Sequence, residues 1–418
     1  MHALEKILAK ASGLREVKTG EIVNVKVEFA AANDVYLQTL TSFREMEGTR
    51  VWDNSRFAFI FDHYAPAPTI LAADIHREMR DFAKDQELKF HFDVNSGVCH
   101  QVIPEAGLVY PGMVLIVTDS HTTTHGAFGA FATGVGSTDM AVIMITGEIW
   151  LRVPEIIEIR IEGQPPKGVY PKDVILHILG ELKADRAVYK AIDFTGSYVD
   201  SLDVAGRMVL CNMAVEMGAK TAYMQPNGAV MDYVSKRAVR PFELQESDPG
   251  YVYSESFSFD AASLSPQIAL PHSVDNVVSI DEVPAQEINQ GFIGACTGGR
   301  LEDIAEAVKI LGGKKLAPYT RLVVIPASAE VLQSAVDLGY VKALMDAGAV
   351  FSTPGCGPCL GVHMGVIAPN EVCITASNRN FPGRMGSTGA RVFLASPATV
   401  AASVLNGKIT DPRTLAEF

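Results

Sequence analysis

The sequence has few cysteines, no excess of positive charge and no long hydrophobic run, and each shortage excludes a class of protein. Six cysteines in 418 residues are too few for a secreted scaffold held together by disulfides. The formal net charge of −13 argues against nucleic acid and anionic membranes as partners. Apolar runs such as MVLIV at 113–117 have the length of a strand, and the N-terminus lacks the apolar core of a signal peptide. We therefore expect a cytoplasmic protein.

Short apolar runs alternate with helical patterns along the chain. The runs RFAFIF, GMVLIV and TRLVVI end in polar or glycine-containing loops, as do strands buried on both faces of a parallel sheet. The segment LEDIAEAVKILGG places Ile304, Ala307 and Leu311 on one helical face and ends in two glycines. These patterns predict an α/β fold with mixed, largely parallel sheets.

The chain is longer than one ordinary domain, and two breaks divide it into three parts. The first break is GQPPKG, which follows a β-rich stretch, and the second is a segment between residues 262 and 285 that is poor in helix formers. We predict α/β/α domains at residues 1–149, 150–270 and 271–418, arranged around a central cleft.

Residues that can carry chemistry concentrate where the predicted strands end. They are Asp62–His63, Cys99–His100, Asp119–Ser120–His121, Cys296, Cys356, Cys359 and the arginines of NRNFPGR. The C-x-x-C pair can be a redox pair, half of a zinc site or part of an iron–sulfur site. Each feature alone is also compatible with a structural role, and Cys99, Cys211 and Cys373 lie in apolar contexts typical of core residues. Their recurrence at strand ends favours a functional site.

Four motifs resemble the large subunits of aconitase-type hydro-lyases, and the resemblance covers nearly the whole chain. They are VTDSHTTTHGAFGAFATGVGSTDM, IGACTGGRLEDI, STPGCGPCLGVHMGV and SNRNFPGRMGS, in the order found in that family. The motifs are most similar to those of 3-isopropylmalate and homoaconitate dehydratase large subunits. The resemblance implies three aconitase-like domains around a cluster-binding cleft.

The resemblance implies that Cys296, Cys356 and Cys359 bind one [4Fe–4S] cluster per subunit. Ferredoxin-type clusters have four cysteine ligands, whereas three would leave one iron without a cysteine. Such an iron can act as a Lewis acid on a substrate hydroxyl and carboxylate. A structural zinc site needs four closed ligands, so it suits three cysteines poorly.

The resemblance also assigns roles to other side chains. The implied catalytic residues are Asp62, His63, His100, Asp119, Ser120, His121 and Glu216. His63, oriented by Asp62, would protonate the departing hydroxyl, and His100 with Asp119 and His121 with Glu216 would be two further imidazole–carboxylate pairs. The implied substrate-binding residues are Asn33, Asn212, Asn378, Arg379 and Arg384, with one arginine binding a substrate carboxylate.

Spacing adds one structural expectation to these roles. Asn212 and Glu216 are four residues apart in CNMAVEMGAK, so we expect them to share one face of a helix.

Departures from the family pattern bear on the substrate. Asn33 stands where histidine or glutamine is usual, Tyr36 and Leu37 belong to a VYL that replaces T-S-P or T-G-P, and Gly298 stands where asparagine is usual. We expect a 2-hydroxy di- or tricarboxylate of the 3-isopropylmalate type, as in leucine biosynthesis. Homoaconitate, citramalate and 2,3-dimethylmalate are the alternatives.

The family's base for the carbon-bound proton is a serine on a swivelling domain, and the chain ends at Phe418 without room for that domain. We therefore expect a heteromer in which a separate small subunit completes the active site. A regulatory binding protein that responds to cluster loss is the alternative class, which the negative charge disfavours.

Overall fold

The computed structural model describes residues 1–415, in which helices and strands alternate along the chain. The strands are β1 Ile22–Lys26, β2 Phe29–Asn33, β3 Phe57–Ile60, β4 Phe90–Phe92, β5 Val114–Val117, β6 Phe131–Gly134, β7 Glu148–Arg152, β8 Ile156–Glu162, β9 Ala191–Thr195, β10 Thr221–Tyr223, β11 Glu255–Asp260, β12 Gln267–Ala269, β13 Val277–Ser279, β14 Gln290–Ile293, β15 Arg321–Val324, β16 Val350–Phe351, β17 Val372–Thr375 and β18 Arg391–Leu394. The helices are α1 Ala3–Ser12, α2 Gln38–Glu45, α3 Ile70–Asp85, α4 Cys99–Glu105, α5 Ser137–Thr146, α6 Pro171–Leu182, α7 Ser197–Ser201, α8 Val204–Met213, α9 Gly228–Ser235, α10 Ala295–Gly298, α11 Leu301–Leu311, α12 Ala329–Asp337, α13 Tyr340–Ala347 and α14 Pro397–Asn406.

Three main sheets organise the fold. A five-stranded sheet in the order β4-β3-β2-β5-β6 and a four-stranded sheet in the order β10-β9-β8-β11 are parallel throughout. A seven-stranded sheet has the order β13-β12-β18-β17-β14-β15-β16, and only β12 pairs antiparallel with its neighbours. The predicted α/β class with mixed, largely parallel sheets is confirmed, while the three domain boundaries stay a prediction.

The central strands form because their residues are apolar on both faces. Every residue of β3, β5, β14 and β17 is buried, as expected for strands covered by helices on both sides. The predicted helix at LEDIAEAVKIL is confirmed as α11, which buries Ile304, Ala307 and Leu311 and ends at Gly312 with φ 53°. One hydrophobic core runs from Phe29 to Leu394 and includes residues of all three sheets, so the sheets pack on one another.

The order of the strands places two crevices at the carboxyl ends of parallel strands. β2 lies between β3 and β5, and β14 lies between β15 and β17. At one point in each sheet, therefore, the connections that follow two neighbouring strands run in opposite directions, and we call this the switch point of the sheet. In α/β sheets such points separate neighbouring loops and leave room for a ligand. Asp34, His63 and Asp119 follow strands of the five-stranded sheet, and Cys296 and Asn378 follow strands of the seven-stranded sheet.

Two further observations complete the fold. The segment between residues 262 and 285 contains β12 and β13, which join the seven-stranded sheet through β18. Within residues 1–415, none of the helices combines the length and the apolar character needed to cross a membrane.

Candidate active site

Side chains from both crevices meet in one pocket. Its lining residues are Asp62, His63, Val98, Cys99, His100, Asp119, His121, Cys296, Cys356, Cys359, Asn378 and Arg384. The pocket holds about 300 Å³ of space, including the part open to solvent. Cysteines and histidines that lie in five separate segments of the sequence therefore reach the same place.

Three buried thiols form one wall of the pocket. Cys296 lies in α10, directly after Ala295, whose φ of 62° is unusual for a residue with a side chain. Cys356 and Cys359 lie in the loop after β16, where Gly357 has φ 59° and a Cβ would come within 2.2 Å of Ile325. The Cys356 amide donates to the Asp62 carbonyl oxygen at 2.7 Å, so the thiol loop is joined to the loop of the acid–base residues.

Nitrogen donors surround the thiol sulfurs. The side-chain amides of Asn212 and Asn378 lie 3.1 and 3.3 Å from Sγ of Cys296, and Nη2 of Arg384 lies 3.6 Å from Sγ of Cys359. A hydrogen bond from Cys356 and the nearby Arg384 charge lower the pKa of Cys359, whereas burial raises the pKa of Cys296 to about 12. A neutral thiol is a weak acceptor, so this arrangement fits metal-bound thiolates better than free cysteines. The donor set therefore fits an iron–sulfur cluster.

His63 is held in its cationic form. Its Nδ1 lies 2.6 Å from Oδ1 of Asp62, and its Nε2 lies 3.9 Å from Oδ2 of Asp119. Burial opposes the charged form, but the charge and hydrogen bond of Asp62, together with Asp34 and Asp119, raise the pKa of His63 to about 10. At neutral pH the ring therefore carries a proton that it can donate.

Asp34, together with His76, holds His63 in position. The buried Asp34 carboxylate accepts hydrogen bonds from the amides of His63 and Tyr64 and lies 3.0 Å from Nε2 of His76. The ring of His76 stacks on Phe61 with centroids 4.2 Å apart. Ligand atoms of Asp34, Asp62 and His63 lie within 4.8 Å of one another, but Asp34 already accepts three N–H groups, so we interpret the cluster as a proton-holding network.

A second chain of ionisable groups crosses the pocket. Nε2 of His100 lies 2.8 Å from Oδ1 of Asp119, which also accepts the His121 amide at 2.8 Å. Nε2 of His121 lies 2.7 Å from Oε1 of Glu216, and Nε of Arg379 donates to the same oxygen at 2.8 Å. Burial would raise the pKa of both carboxyl groups, but these partners hold the Asp119 pKa well below its usual range and lower that of Glu216.

Asn212 and Glu216 lie in two consecutive helical segments of different type, rather than on the single helix that their spacing predicts. Helix α8 ends at Met213, and Glu216 lies in a separate 3-10 turn, Ala214–Met217. Gly218, with φ 83°, ends this turn and changes the direction of the chain. Both side chains still reach the pocket, Asn212 toward Cys296 and Glu216 toward His121.

The residues that depart from the family pattern have different surroundings. Asn33 is fully buried, and its Nδ2 has no hydrogen-bond partner within residues 1–415. Tyr36 is half-buried, and burial together with the Asp119 charge raises its pKa. At Gly298 a Cβ would lie 2.4 Å from the Cβ of Ala376, so packing alone requires a glycine there.

Besides Asp34 and His76, sequence reasoning missed two further residues at the site. Cys99, interpreted as a core residue, lines the pocket, and its amide donates to Oδ2 of Asp62 at 2.9 Å. Burial and the Asp62 and Asp119 charges raise the pKa of its thiol well above the usual value, so it remains protonated. His125 was given no role, yet its Nε2 lies 3.2 Å from Nδ1 of His100. For Cys99, the available signal was its position next to His100. For His125, it was the repeated histidine of HTTTH.

Ser120 lies in the same loop as two of these groups. It begins the 3-10 helix Ser120–Phe128, which Asp119 caps by accepting the His121 amide.

Comparisons with known proteins cover nearly the whole chain. The model of the aconitase family (aconitate hydratase) matches residues 6–289 and 282–407. A probable methanogen homoaconitase large subunit of Methanothermobacter thermautotrophicus is 47% identical over 99% of this chain and 98% of its own length. A 3-isopropylmalate dehydratase large subunit of Methanopyrus kandleri is 48% identical over 98% of both chains. Among solved structures, aconitase X of Thermococcus kodakaraensis covers 90% of this chain and 89% of its own, at a TM-score of 0.49 and 13% identity, and is too distant to inform the site.

Proposed function

Because this chain belongs to the aconitase family, we propose that it is the large, catalytic subunit of a hydro-lyase that dehydrates and rehydrates a 2-hydroxy di- or tricarboxylate. The favoured substrate type is 3-isopropylmalate, since relatives bearing that name are the more numerous of the similar ones. A homoaconitate-type acid is the second candidate, because a relative with that name is as similar and as fully covered.

One observation carries the proposal. Three buried thiols lie in the same pocket as a cationic imidazole and two carboxylate–imidazole pairs. Electron transfer and disulfide chemistry need no such set of acids, and acid–base catalysis alone needs no such set of thiols. Loss of water from a hydroxy acid needs both an electrophile at the hydroxyl and a proton donor.

The family implies a [4Fe–4S] cluster, and Cys296, Cys356 and Cys359 are the residues that would hold it. We propose that one iron has no cysteine ligand, since the family resemblance assigns only Cys296, Cys356 and Cys359 to the cluster. When bound, the cluster supplies a Lewis acid for the substrate hydroxyl. Asn212, Asn378 and Arg384 donate toward the sulfurs and would stabilise the thiolates.

His63 is the proposed acid for the departing hydroxyl. The carboxylates of Asp62, Asp34 and Asp119 keep it protonated, and its Nδ1 contact with Asp62 leaves Nε2 as the atom that donates. The pairs His100–Asp119 and His121–Glu216 would lie around the hydroxyl, with each carboxylate held in place by Nε2 of its histidine.

Two arginines supply the positive charge that an anionic substrate requires. Arg384 lies beside Cys359, and Arg379 pairs with Glu216 while remaining partly exposed. We propose that a substrate carboxylate binds Arg379 from the open side, in the bidentate manner that a guanidinium allows.

The proposal is tested by loading the purified chain with iron and sulfide under anaerobic conditions and adding the small subunit produced with it. We expect broad visible absorption from the cluster and formation of the alkene, measured by its ultraviolet absorbance, from 3-isopropylmalate. Homoaconitate, citramalate and 2,3-dimethylmalate form the other arms, and the highest kcat/KM identifies the substrate.

Two cysteine variants provide the matched controls for this experiment. Cys356→Ser should remove both the absorption and turnover, whereas Cys373→Ser, at a buried cysteine in β17, should leave both. Full turnover by Cys356→Ser, or no alkene from any of the four acids by the loaded wild-type enzyme, would contradict the proposal.

A further inference from the structure

Lys172 is a buried cation that none of the roles above includes. It is the second residue of α6, is 3% exposed, and forms no ion pair with any carboxylate within residues 1–415. Burial lowers the pKa of its ammonium group to about 8. Burying a charge without a paired counter-ion is unfavourable, so the contacts of this group call for an explanation.

The Lys172 ammonium binds backbone carbonyls of a different sheet. Its Nζ donates to the carbonyl oxygens of Ala376 and Ser377, at 3.0 and 2.6 Å, and lies 4.0 Å from Sδ of Met213. Helix α6 connects β8 to β9 in the four-stranded sheet, whereas Ala376 and Ser377 directly follow β17 of the seven-stranded sheet. The side chain therefore connects two parts of the fold at one loop.

That loop carries two of the proposed active-site residues. Directly after Ser377 come Asn378, which donates to Sγ of Cys296, and Arg379, which pairs with Glu216. The Ala376 carbonyl also accepts the hydroxyl of Thr297, the residue after Cys296, at 3.2 Å. One ammonium group thus fixes the backbone from which a thiol-bonding amide and the substrate-binding arginine extend.

We propose that Lys172 is a positioning residue, which holds the 376–379 loop so that Arg379 can bind a substrate carboxylate and Asn378 can reach the Cys296 sulfur. Its role in substrate binding rests on the proposed function, whereas its role in ordering the loop does not.

The test compares three variants of the full chain. Lys172→Met keeps the length of the side chain but removes the charge and the donors, and Lys172→Arg keeps both. Arg207→Met is the matched control, since Arg207 is also fully buried and donates to two backbone carbonyls, those of Val199 and Gln225, away from this loop. Amide hydrogen exchange of residues 376–380 is measured on each chain, and kcat and KM are measured on the cluster-loaded enzyme with its small subunit.

We expect Lys172→Met to speed exchange in the loop and to raise KM about tenfold or more, with a smaller change in kcat, since a misplaced arginine weakens binding of the substrate. Lys172→Arg should recover most of the binding, and Arg207→Met should lower thermal stability without either change. Unchanged exchange and KM in a folded Lys172→Met, or equal changes in Arg207→Met, would overturn the proposal. If the wild-type enzyme forms no alkene, the proposed function fails, but the exchange measurement still decides the role of Lys172.

Discussion

The imidazole of His125 lies entirely inside the protein, with its Nε2 3.2 Å from Nδ1 of His100. Because Asp119 is an ionised acceptor, His100 places its Nε2 proton toward that carboxylate and leaves Nδ1 as an acceptor. Burial holds the pKa of His125 well below its usual range, so His125 is neutral. It then donates from Nε2, and its Nδ1 is the acceptor that has no partner within residues 1–415.

This arrangement predicts different effects for two His125 variants. His125→Gln keeps an N–H donor at about the same reach and should retain most of the activity. His125→Leu removes the donor, so the His100 ring loses its fixed orientation and kcat should fall about 10- to 100-fold, as for other groups that orient a catalytic imidazole. The measurement is kcat on loaded enzyme, with cluster absorbance recorded alongside. Equal activity of the two variants, or loss of the cluster in His125→Leu, would show that the ring does not act through His100.

Adjacent residues were easier to predict from the sequence than partners that are distant in the chain. Asp62 and His63 stand side by side at a strand end and were identified together. His76 lies in the middle of α3, where a histidine looks like any helix residue, and only the fold brings it to Asp34. Lys172 looks like an ordinary helix-start lysine in PKDVIL, because a sequence cannot show which carbonyls its ammonium group will meet.

Helix α4 links the loops that carry the acid–base residues to the seven-stranded sheet. It begins with Cys99 and His100 and ends with Glu105, whose Oε1 accepts hydrogen bonds from Gln101 at 2.8 Å and from the Ser328 hydroxyl at 2.7 Å. Ser328 in turn caps α12, which follows β15 in the seven-stranded sheet. Burial raises the pKa of Glu105 to about 7, so the folded protein keeps a proton there that the unfolded chain releases near the ordinary pKa of 4.5.

This raised pKa predicts that Glu105 destabilises the fold at alkaline pH. Between pH 4.5 and about 7 the unfolded chain binds fewer protons at this site than the folded protein, so stability falls as pH rises through that window. Glu105→Gln, which does not ionise, should therefore increase the free energy of unfolding at pH 8 by about 1 to 3 kcal/mol and change it little at pH 4.5. Denaturant unfolding at the two pH values measures the difference, with exposed Glu16→Gln as control. An equal gain at both pH values would contradict the assignment.

Among the elements, the long or fully apolar ones could be predicted and the short ones could not. β3, β5 and α11 have strong patterns, and the structure contains all three. β12 and β13 have three residues each, too few to display an alternation, and the pairing of β12 with β18 depends on a segment more than 100 residues later. The 3-10 turn that carries Glu216 was also missed, because its residues AVEM are typical of a continued α-helix.

At the scale of the whole molecule, the site forms where the switch points of the five-stranded and seven-stranded sheets face the same pocket. The five-stranded sheet supplies acid–base groups, and the seven-stranded sheet supplies thiols and arginines. Neither sheet alone carries both sets, which explains why the motifs are spread along the chain. Contacts such as the amide of Cys356 on the Asp62 carbonyl hold the two sets in register.

The same arrangement leaves the pocket without a free base. Asp119 is hydrogen-bonded to two histidines, Glu216 to His121 and Arg379, and Asp34 to His76 and two amides. Each of these carboxyl groups has a lowered pKa despite burial, and an acid with a low pKa is a weak base toward a carbon-bound proton. In the part of the chain that the structure describes, the pocket thus has a proton donor for the hydroxyl but no matching acceptor.

A separate small subunit should therefore supply the base, and turnover should depend on it stoichiometrically. We expect the cluster-loaded chain alone to bind the hydroxy acid, seen as a change in the cluster spectrum, without forming alkene. Titration with the small subunit should restore turnover and reach a plateau at one small subunit per chain. The Cys356→Ser chain with the same small subunit is the control, and it should stay inactive because the base alone cannot loosen the hydroxyl. Alkene formation at the full rate by the loaded chain alone would mean that one of its paired carboxylates is released as the base, and Asp119→Asn and Glu216→Gln would then identify which.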